Sequence, residues 1–430
     1  MTTAASGLDV ALLASRGVAL GLGILLFVLT LYSLMKTLVV PRPTRSVISD
    51  TTMAMVVAIT NALARLARTY QRRDAILAWT GPAMIVSLLL AWLVGFLISY
   101  ALVIYGISNQ SLGGALEQSG SSLFTLGFSA GRSEDQTFVD FVAAATGPIV
   151  IGLLIGFLPT LYQTYLDREV EVTMLSTSAG EPAWGPELLS RAALTGRIAD
   201  LDDLYGRWGR WAANLRLTHT AYPILLRVRS QRATRHYLVS LLAVLDSAAL
   251  RVAVQPGASH EAEFRILLLG SQALHELHGY GFAERRGPWR RPHEPPEQWI
   301  LPEWNAQRLA VHQAIERDSI RGLSIVGYVR GMPAPSALDL PREEFDAAVA
   351  QLATSGYPLD NDPDAAWQAF ARARAMYERP AYDMLHALNA TPAPWSGPRI
   401  PATDVIWPHR AIAELRKDEG PRTASGTSGP

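Results

Sequence analysis

The sequence of 430 residues contains no cysteine, which excludes disulfide bonds, thiolate metal sites and cysteine nucleophiles. Lysine is almost absent as well, since Lys36 and Lys417 are the only two and arginine carries nearly all of the basic charge. We interpret this bias as the mark of a GC-rich bacterial genome. The formal net charge is zero and no long basic tract occurs, so the composition does not favour nucleic-acid binding.

Charge is also scarce before residue 167, and all nine histidines lie after it. Three uncharged runs, 17–35, about 79–107 and 141–166, are long enough to cross the roughly 30 Å hydrocarbon core of a bilayer. A cleaved signal peptide is the alternative for the first run, but it lacks a basic start and an A-x-A-like site. The runs therefore predict three transmembrane helices, and their lack of regularly spaced arginines argues against a voltage sensor.

The orientation of these helices follows from the charges between them. The connection between the first two runs carries more basic than acidic residues, namely Arg42, Arg45, Arg65, Arg68, Arg72 and Arg73 against Asp50 and Asp74. The second connection is acidic, with Glu117, Glu134, Asp135 and Asp140 against Arg132. By the positive-inside rule the first connection is cytoplasmic and the second faces outward. We therefore expect a multi-pass protein of the inner (plasma) membrane with a cytoplasmic C-terminal region.

The first connection also has a helical pattern. Apolar side chains recur at spacings of three and four, and arginines form a separate stripe. The apolar set is Met53, Val56, Ile59, Leu63, Leu66 and Tyr70, and the basic set is Arg65, Arg68 and Arg72. This pattern predicts an amphipathic helix on the inner membrane surface, where basic charge meets anionic lipid. The alternative is a helix packed on the cytoplasmic domain.

A short uncharged stretch, SSLFTLGFSAG at 121–131, separates the second and third runs. The connection is long enough for a helix from about 112 to 124 and an extended return to Asp140. Because an unpaired backbone is not tolerated in lipid, an irregular segment at this depth must be shielded by protein or line water. The sequence therefore predicts a re-entrant helix and loop.

This order of a helix, a re-entrant helix, a Thr-x-Gly-aromatic segment and a second helix resembles the pore-loop potassium channels, whose filter is typically T-V-G-Y-G. Thr125, Leu126, Gly127 and Phe128 match the first four filter places, and Ser129 stands where the second glycine is expected. The resemblance covers residues 80–166, about a fifth of the chain.

The resemblance implies a homotetramer in which filter carbonyls replace the water shell of a permeating potassium ion. The ion-binding ligands would be the carbonyls of Thr125, Leu126, Gly127 and Phe128 with the Thr125 hydroxyl, followed by Ser129. Gly127 would take backbone angles that a Cβ disfavours, and Phe128 would pack outward against the pore helix. A left-handed Ser129 would cost about 1–2 kcal/mol per subunit, so cation conduction follows more directly than potassium selectivity.

Two further features belong to this expected pore. Glu134 and Asp135 would attract cations at the outer mouth, since no acid directly follows the filter. Gly147, Gly152 or Pro159 would provide a gating bend in the third helix, and the sequence does not select among them. The alternative is that these small and ring residues serve helix packing alone.

The segment after residue 166 is predicted to be mainly helical. Expected helices are 187–217, 233–253, 260–279, 306–317 and 341–355. A further helix is expected to begin at Asp362, as a cap followed by a proline at the first helical position, and to continue to about 388. His275 and His278 lack the H-E-x-x-H spacing of a zinc site, and no G-x-G-x-x-G follows a strand. The domains are then 1–40 (transmembrane), 41–78 (linker helix), 79–166 (pore), 167–416 (cytoplasmic) and 417–430 (disordered tail).

These features predict an all-α membrane protein that acts as a cation channel, with potassium as the expected permeant ion. The cytoplasmic helical domain would regulate opening or assembly, through a regulator that the sequence does not identify. The alternative is a membrane-anchored interaction or signalling protein whose pore fold does not conduct. An enzyme is not expected, because the sequence contains no nucleophile–base or metal constellation, and no cofactor is implied.

Overall fold

A computed structural model describes residues 2–40, 46–281 and 338–397 of the chain. The secondary structure of these residues is helical, and they contain no β-strand. The predicted helix 306–317 and the predicted tail 417–430 lie outside them. The chain divides into two compact units: unit 1 comprises Met1–Leu166 with Ile224–Arg229, and unit 2 comprises Asp167–Pro223 with Ser230–Pro430.

Unit 1 is built from long apolar helices and two short ones. The helices that begin in unit 1 are α1 Thr2–Leu38, α2 Val47–Arg65, α3 Tyr70–Ala78, α4 Thr80–Ile107, α5 Leu112–Leu123 and α6 Glu134–Ala179. The part of α6 from Asp167 onward belongs to unit 2. The single amphipathic helix predicted around residues 53–70 is wrong in its extent, because α2 ends at Arg65. A second helix, α3, begins after Thr69, whose side chain accepts a hydrogen bond from the Arg72 backbone N–H.

The described part of unit 2 is helical throughout its regular segments. The bounds are α7 Gly185–Leu194, α8 Leu201–Ala221, α9 Tyr237–Val254, α10 Glu261–Gly281, α11 Arg342–Thr354, α12 Pro363–Arg374 and α13 Glu378–Ala387. The cap predicted at Asp362 is present, since its carboxylate accepts hydrogen bonds from two backbone N–H groups at 3.0 and 3.1 Å.

Two predicted long helices of unit 2 are each divided in the structure. The helix predicted at 187–217 is interrupted around Gly196, which has a φ of 65° and ends the first segment. The helix predicted from Asp362 to 388 is interrupted before Glu378, beside the fully buried Tyr377. Apolar spacing continues across both breaks, so periodicity alone does not reveal them.

Five helical segments of the described residues are long and apolar enough to cross a membrane. They are Leu13–Leu38, Val47–Arg65, Tyr70–Ile107, Glu134–Ala179 and Tyr237–Val254. The last is α9, and nearly all of its residues are buried in unit 2, so packing against protein accounts for its apolar sequence. The remaining segments include the three predicted spans and add α2, whose composition is apolar enough to span. Several helices are therefore compatible with a multi-pass membrane protein.

Small residues let α1 and α4 approach closely. A Cβ on Gly23, Gly95 or Gly106 would lie within 3.0 Å of atoms of the facing helix. The Ser99 hydroxyl donates to the Gly23 carbonyl at 2.8 Å across this contact. Such close backbone approach and interhelical hydrogen bonding are how apolar helices associate where water supplies no driving force.

The core of unit 1 lies between α1, α4, α5 and α6. Trp92 and Phe96 of α4 are completely buried there, and Leu123 at the end of α5 joins the same cluster. The Trp92 indole N–H donates to the buried hydroxyl of Ser33 at 3.1 Å, so the polar edge of the ring is satisfied. This core holds α5 against α4 and thereby positions the segment that follows α5.

Unit 2 contains a buried ionic cluster centred on Arg374 of α12. Its fully buried guanidinium contacts the Asp246 carboxylate of α9 at 2.5 Å and Glu378 at 2.8 Å. It also donates to the hydroxyl of Tyr382 and to the carbonyl of Trp395. Burial raises the pKa of Asp246 to about 6, although the Arg374 charge opposes that rise. Removing one charged partner of this cluster would therefore leave the other charge buried and uncompensated.

His219 near the end of α8 is a second buried titratable group. Its side chain is fully buried, and its Nε2 lies 3.3 Å from a guanidinium nitrogen of Arg168. Burial and the Arg168 charge hold the pKa of His219 well below its ordinary range. The imidazole is therefore neutral at neutral pH.

Candidate pore loop

The candidate pore loop, residues 124–133, follows the short helix α5. Ser111 caps α5 by accepting a hydrogen bond from the Gly114 N–H at 3.2 Å. The Ser119 hydroxyl donates to the Leu97 carbonyl of α4 at 2.8 Å, which fixes α5 against the preceding apolar helix. The predicted short helix from about 112 to 124 is therefore present, with bounds Leu112–Leu123.

The backbone of the candidate pore loop turns sharply at two positions. Thr125 has a φ of 54° and Gly127 a φ of 74°, both in the left-handed region. The Leu126 N–H donates to the Ser121 carbonyl at 2.8 Å, which closes the turn at the end of α5. Gly127 thus needs the conformational freedom that the sequence predicted, whereas Thr125 holds an angle that costs about 1–2 kcal/mol.

The left-handed Ser129 that the resemblance implies is not found in the structure. Ser129 is not among the described residues with positive φ. Its N–H donates instead to the hydroxyl of the buried Ser121 at 2.9 Å. The left-handed turn comes earlier in the loop, so the missing second glycine carries no backbone penalty here.

Asp140 of α6 is the main anchor of the pore loop. Its carboxylate accepts hydrogen bonds from the Gly131 N–H at 2.7 Å and the Ser122 hydroxyl at 2.7 Å. Gln118, which is fully buried in α5, donates to both carboxylate oxygens at 3.1 and 3.0 Å. Gln118 in turn accepts from the Gln110 side chain at 2.8 Å. One carboxylate therefore ties α5, the loop and α6 together through charge-assisted bonds.

Residues 125–128 of the candidate pore loop are exposed. Leu126 is 62% exposed and Phe128 is 63% exposed, and Thr125 and Gly127 are exposed as well. Phe128 is therefore largely uncovered within this chain, and its expected packing against a pore helix stays a prediction. A Cβ on Gly127 would have no atom of the described chain within 4 Å. The loop thus combines hydrogen-bonded flanks with an uncovered apolar tip.

The predicted extended return to Asp140 is wrong, because α6 already begins at Glu134. Glu134 and Asp135 occupy the exposed first turn of this helix, where acidic side chains complement the positive end of the helix dipole. Both residues lie next to the candidate pore loop in the sequence, and their role at an outer mouth stays a prediction. The return is shorter because Ser133 caps α6, its hydroxyl accepting a hydrogen bond from the Gln136 N–H at 3.4 Å.

The three candidate hinge residues have different surroundings in α6. A Cβ on Gly147 would overlap the carbonyl oxygen of Leu123, so this glycine permits contact between α6 and the end of α5. A Cβ on Gly152 would meet open space in the described chain. Pro159 lies inside the helix, which continues through it to Ala179. Gly147 therefore has a packing role, and the gating bend stays a prediction.

No sequence pattern predicted that Asp140 and Gln118 hold the candidate pore loop. The sequence contained a signal for each residue. Asp140 is the last charged residue before the uncharged run 141–166. Gln118 and Ser122 are four residues apart and therefore share one face of α5. Only the packing of α5 against α6 brings that face to the carboxylate.

The histidines considered for metal binding make separate contacts. His275 Nε2 lies 2.9 Å from the Met376 carbonyl, and His278 Nε2 lies 3.2 Å from the Asp383 carboxylate. Among the described residues no group of three or more histidine or acidic side chains is arranged to hold a metal ion.

No family model, no curated protein and no solved structure matches this chain. The assignment of a function therefore rests on the geometry of the pore loop and of the helices that hold it.

Proposed function

We propose that this protein is a cation channel, with potassium as its permeant ion, and that four copies assemble around the pore loop. The observation that carries the proposal is the contrast within that loop. Its flanks are hydrogen-bonded to Ser121 and Asp140, while Leu126 and Phe128 are each more than 60% exposed. An anchored loop with an uncovered apolar tip is expected of one subunit in an assembly that buries the tip.

The chemistry of such an assembly suits a cation. Residues 125–128 provide successive backbone carbonyls and one hydroxyl, and oxygen dipoles of this kind replace the hydration shell of a permeating ion. The C-terminal end of α5 precedes the loop and carries the negative end of the helix dipole. Glu134 and Asp135 would add negative charge at the outer mouth. The helical unit 2 would lie in the cytoplasm and control opening or assembly.

The test is cation flux into liposomes that contain the purified full chain. Wild-type protein is expected to pass potassium faster than sodium, and Gly127→Ala is expected to lower potassium flux at least about tenfold. An alanine at a φ of 74° costs about 1–2 kcal/mol in every subunit, and the cost is repeated around the assembly.

Gly113→Ala is the matched control, because Gly113 lies inside α5 with room for a Cβ. It should leave both fluxes unchanged. A wild-type protein that passes no more cation than empty liposomes would refute conduction and favour the membrane-anchored interaction protein. Equal potassium and sodium flux, abolished by Gly127→Ala, would retain the channel and reject potassium selectivity.

A further inference from the structure

A cleft of about 470 Å³ lies where α2 ends and α3 begins. Its lining combines apolar and basic side chains, namely Leu63, Leu66, Ala67, Arg68, Arg72 and Ile76. The volume falls within the range of small-molecule sites, about 300–1,000 Å³. The cleft lies entirely in unit 1 and is distant in sequence from the pore loop.

The two arginines of the cleft have no acidic partner among the described residues. Arg68 and Arg72 are both exposed and make no ion pair there. The one acid of α3, Asp74, is buried and paired with Arg229, whose guanidinium also donates to the Tyr70 hydroxyl at 2.8 Å. This pairing removes the acid that could neutralise the cleft, so its field is positive.

The apolar part of the cleft is equally uncovered. Leu66 is 79% exposed and Leu63 is 49% exposed. Trp79, between α3 and α4, is 70% exposed, and tryptophan is enriched at the level of lipid headgroups. The helix before the cleft, Val47–Arg65, and the segment after it, Tyr70–Ile107, which contains α3 and α4, are apolar enough to cross a membrane. The exposed apolar side chains and the two arginines without an acidic partner therefore lie together at one expected membrane boundary.

We propose that the cleft binds one acidic phospholipid. The phosphate contacts the guanidinium groups of Arg68 and Arg72, which suit phosphate oxygens through their planar set of donors. An acyl chain covers Leu63, Leu66 and Ile76, which a free phosphate would leave exposed. Lipid binding at this cleft does not presuppose the proposed conduction, because none of the lining residues belongs to the candidate pore loop.

The test is lipid retention by the full chain, purified in detergent and analysed by native mass spectrometry. The added probes are phosphatidylglycerol, phosphatidylcholine and glycerol phosphate. Wild-type protein should retain phosphatidylglycerol in preference to the other two, and Arg68→Gln with Arg72→Gln should lower that retention at least about tenfold. Arg68→Lys with Arg72→Lys should retain an intermediate amount, since the charge remains but the planar set of donors is lost.

Arg65→Gln with Arg73→Gln is the matched control, because it removes the same charge from the same segment outside the cleft. It should change retention less than twofold. An equal loss in both glutamine pairs would overturn the proposal in favour of a diffuse surface charge. Glycerol phosphate that binds as tightly as the lipid would also overturn it, and so would phosphatidylcholine retained as well as phosphatidylglycerol.

Discussion

Asp140→Asn should release the pore loop from α6. The carboxylate offers two oxygens to Gly131, Ser122 and Gln118, and the shortest two bonds, at 2.7 Å, go to different oxygens. A carboxamide keeps one acceptor oxygen, so at least one of these bonds loses its partner. A hydrogen bond to a charged group contributes about 1.5–3 kcal/mol, so we expect the free energy of local opening to fall by that amount.

The assay is amide hydrogen exchange of the loop peptide in lipid nanodiscs. A loss of about 1.5–3 kcal/mol corresponds to about 10- to 150-fold faster exchange of the Gly131 N–H. Asp135→Asn is the control, because Asp135 is exposed on the same helix and lies outside the Asp140 network. Unchanged exchange in Asp140→Asn, or an equal increase in the control, would refute the anchoring role of Asp140.

Three further experiments test packing in unit 1 and packing and titration in unit 2. Gly147→Ala should destabilise the α5–α6 contact by about 1–3 kcal/mol, because the alanine Cβ would overlap the carbonyl oxygen of Leu123. Gly152→Ala is the control and should be neutral, because its Cβ would meet open space. Thermal unfolding in detergent compares the two variants. Arg374→Met should cost unit 2 about 3–5 kcal/mol in denaturant unfolding, because it leaves Asp246 buried without its cation, and adding Asp246→Asn should recover part of that loss. Burial and a neighbouring guanidinium hold the pKa of His219 low in the folded protein. Below about pH 6.5 the imidazole is protonated in the unfolded chain but not in the folded one, so the stability falls as the pH drops. His219→Gln should flatten that acid limb in unfolding measured from pH 7 to pH 5, and an unchanged slope would assign it to other groups.

Local sequence signals predicted the short helix α5 well. Its expected span of about 112–124 differs from the observed Leu112–Leu123 by one residue, because Ser111 is a favourable cap and the apolar runs on both sides limit its length. The cap at Asp362 was equally clear, since a proline follows it directly. Such features depend on neighbouring residues and can be predicted from sequence.

Breaks inside continuous apolar patterns were not predicted. Around Gly196 and before Glu378 the helical spacing continues, yet the chain changes direction. The buried Tyr377 at the second break donates to Asp246, which is far away in sequence. This break allows a hydrogen bond to a residue that is distant in sequence, so no local sequence pattern predicts it.

The sequence by itself determined that this chain is helical, that its first part is apolar enough for a membrane, and that Gly127 occupies a turn. The tertiary structure decided which residues hold that turn. It moved the backbone strain from Ser129 to Thr125, and it made Asp140 the acceptor for groups on α5 and the loop. The physical reason is that a hydrogen bond needs donor and acceptor within about 3 Å, and only the packing of α5 against α6 brings these groups so close.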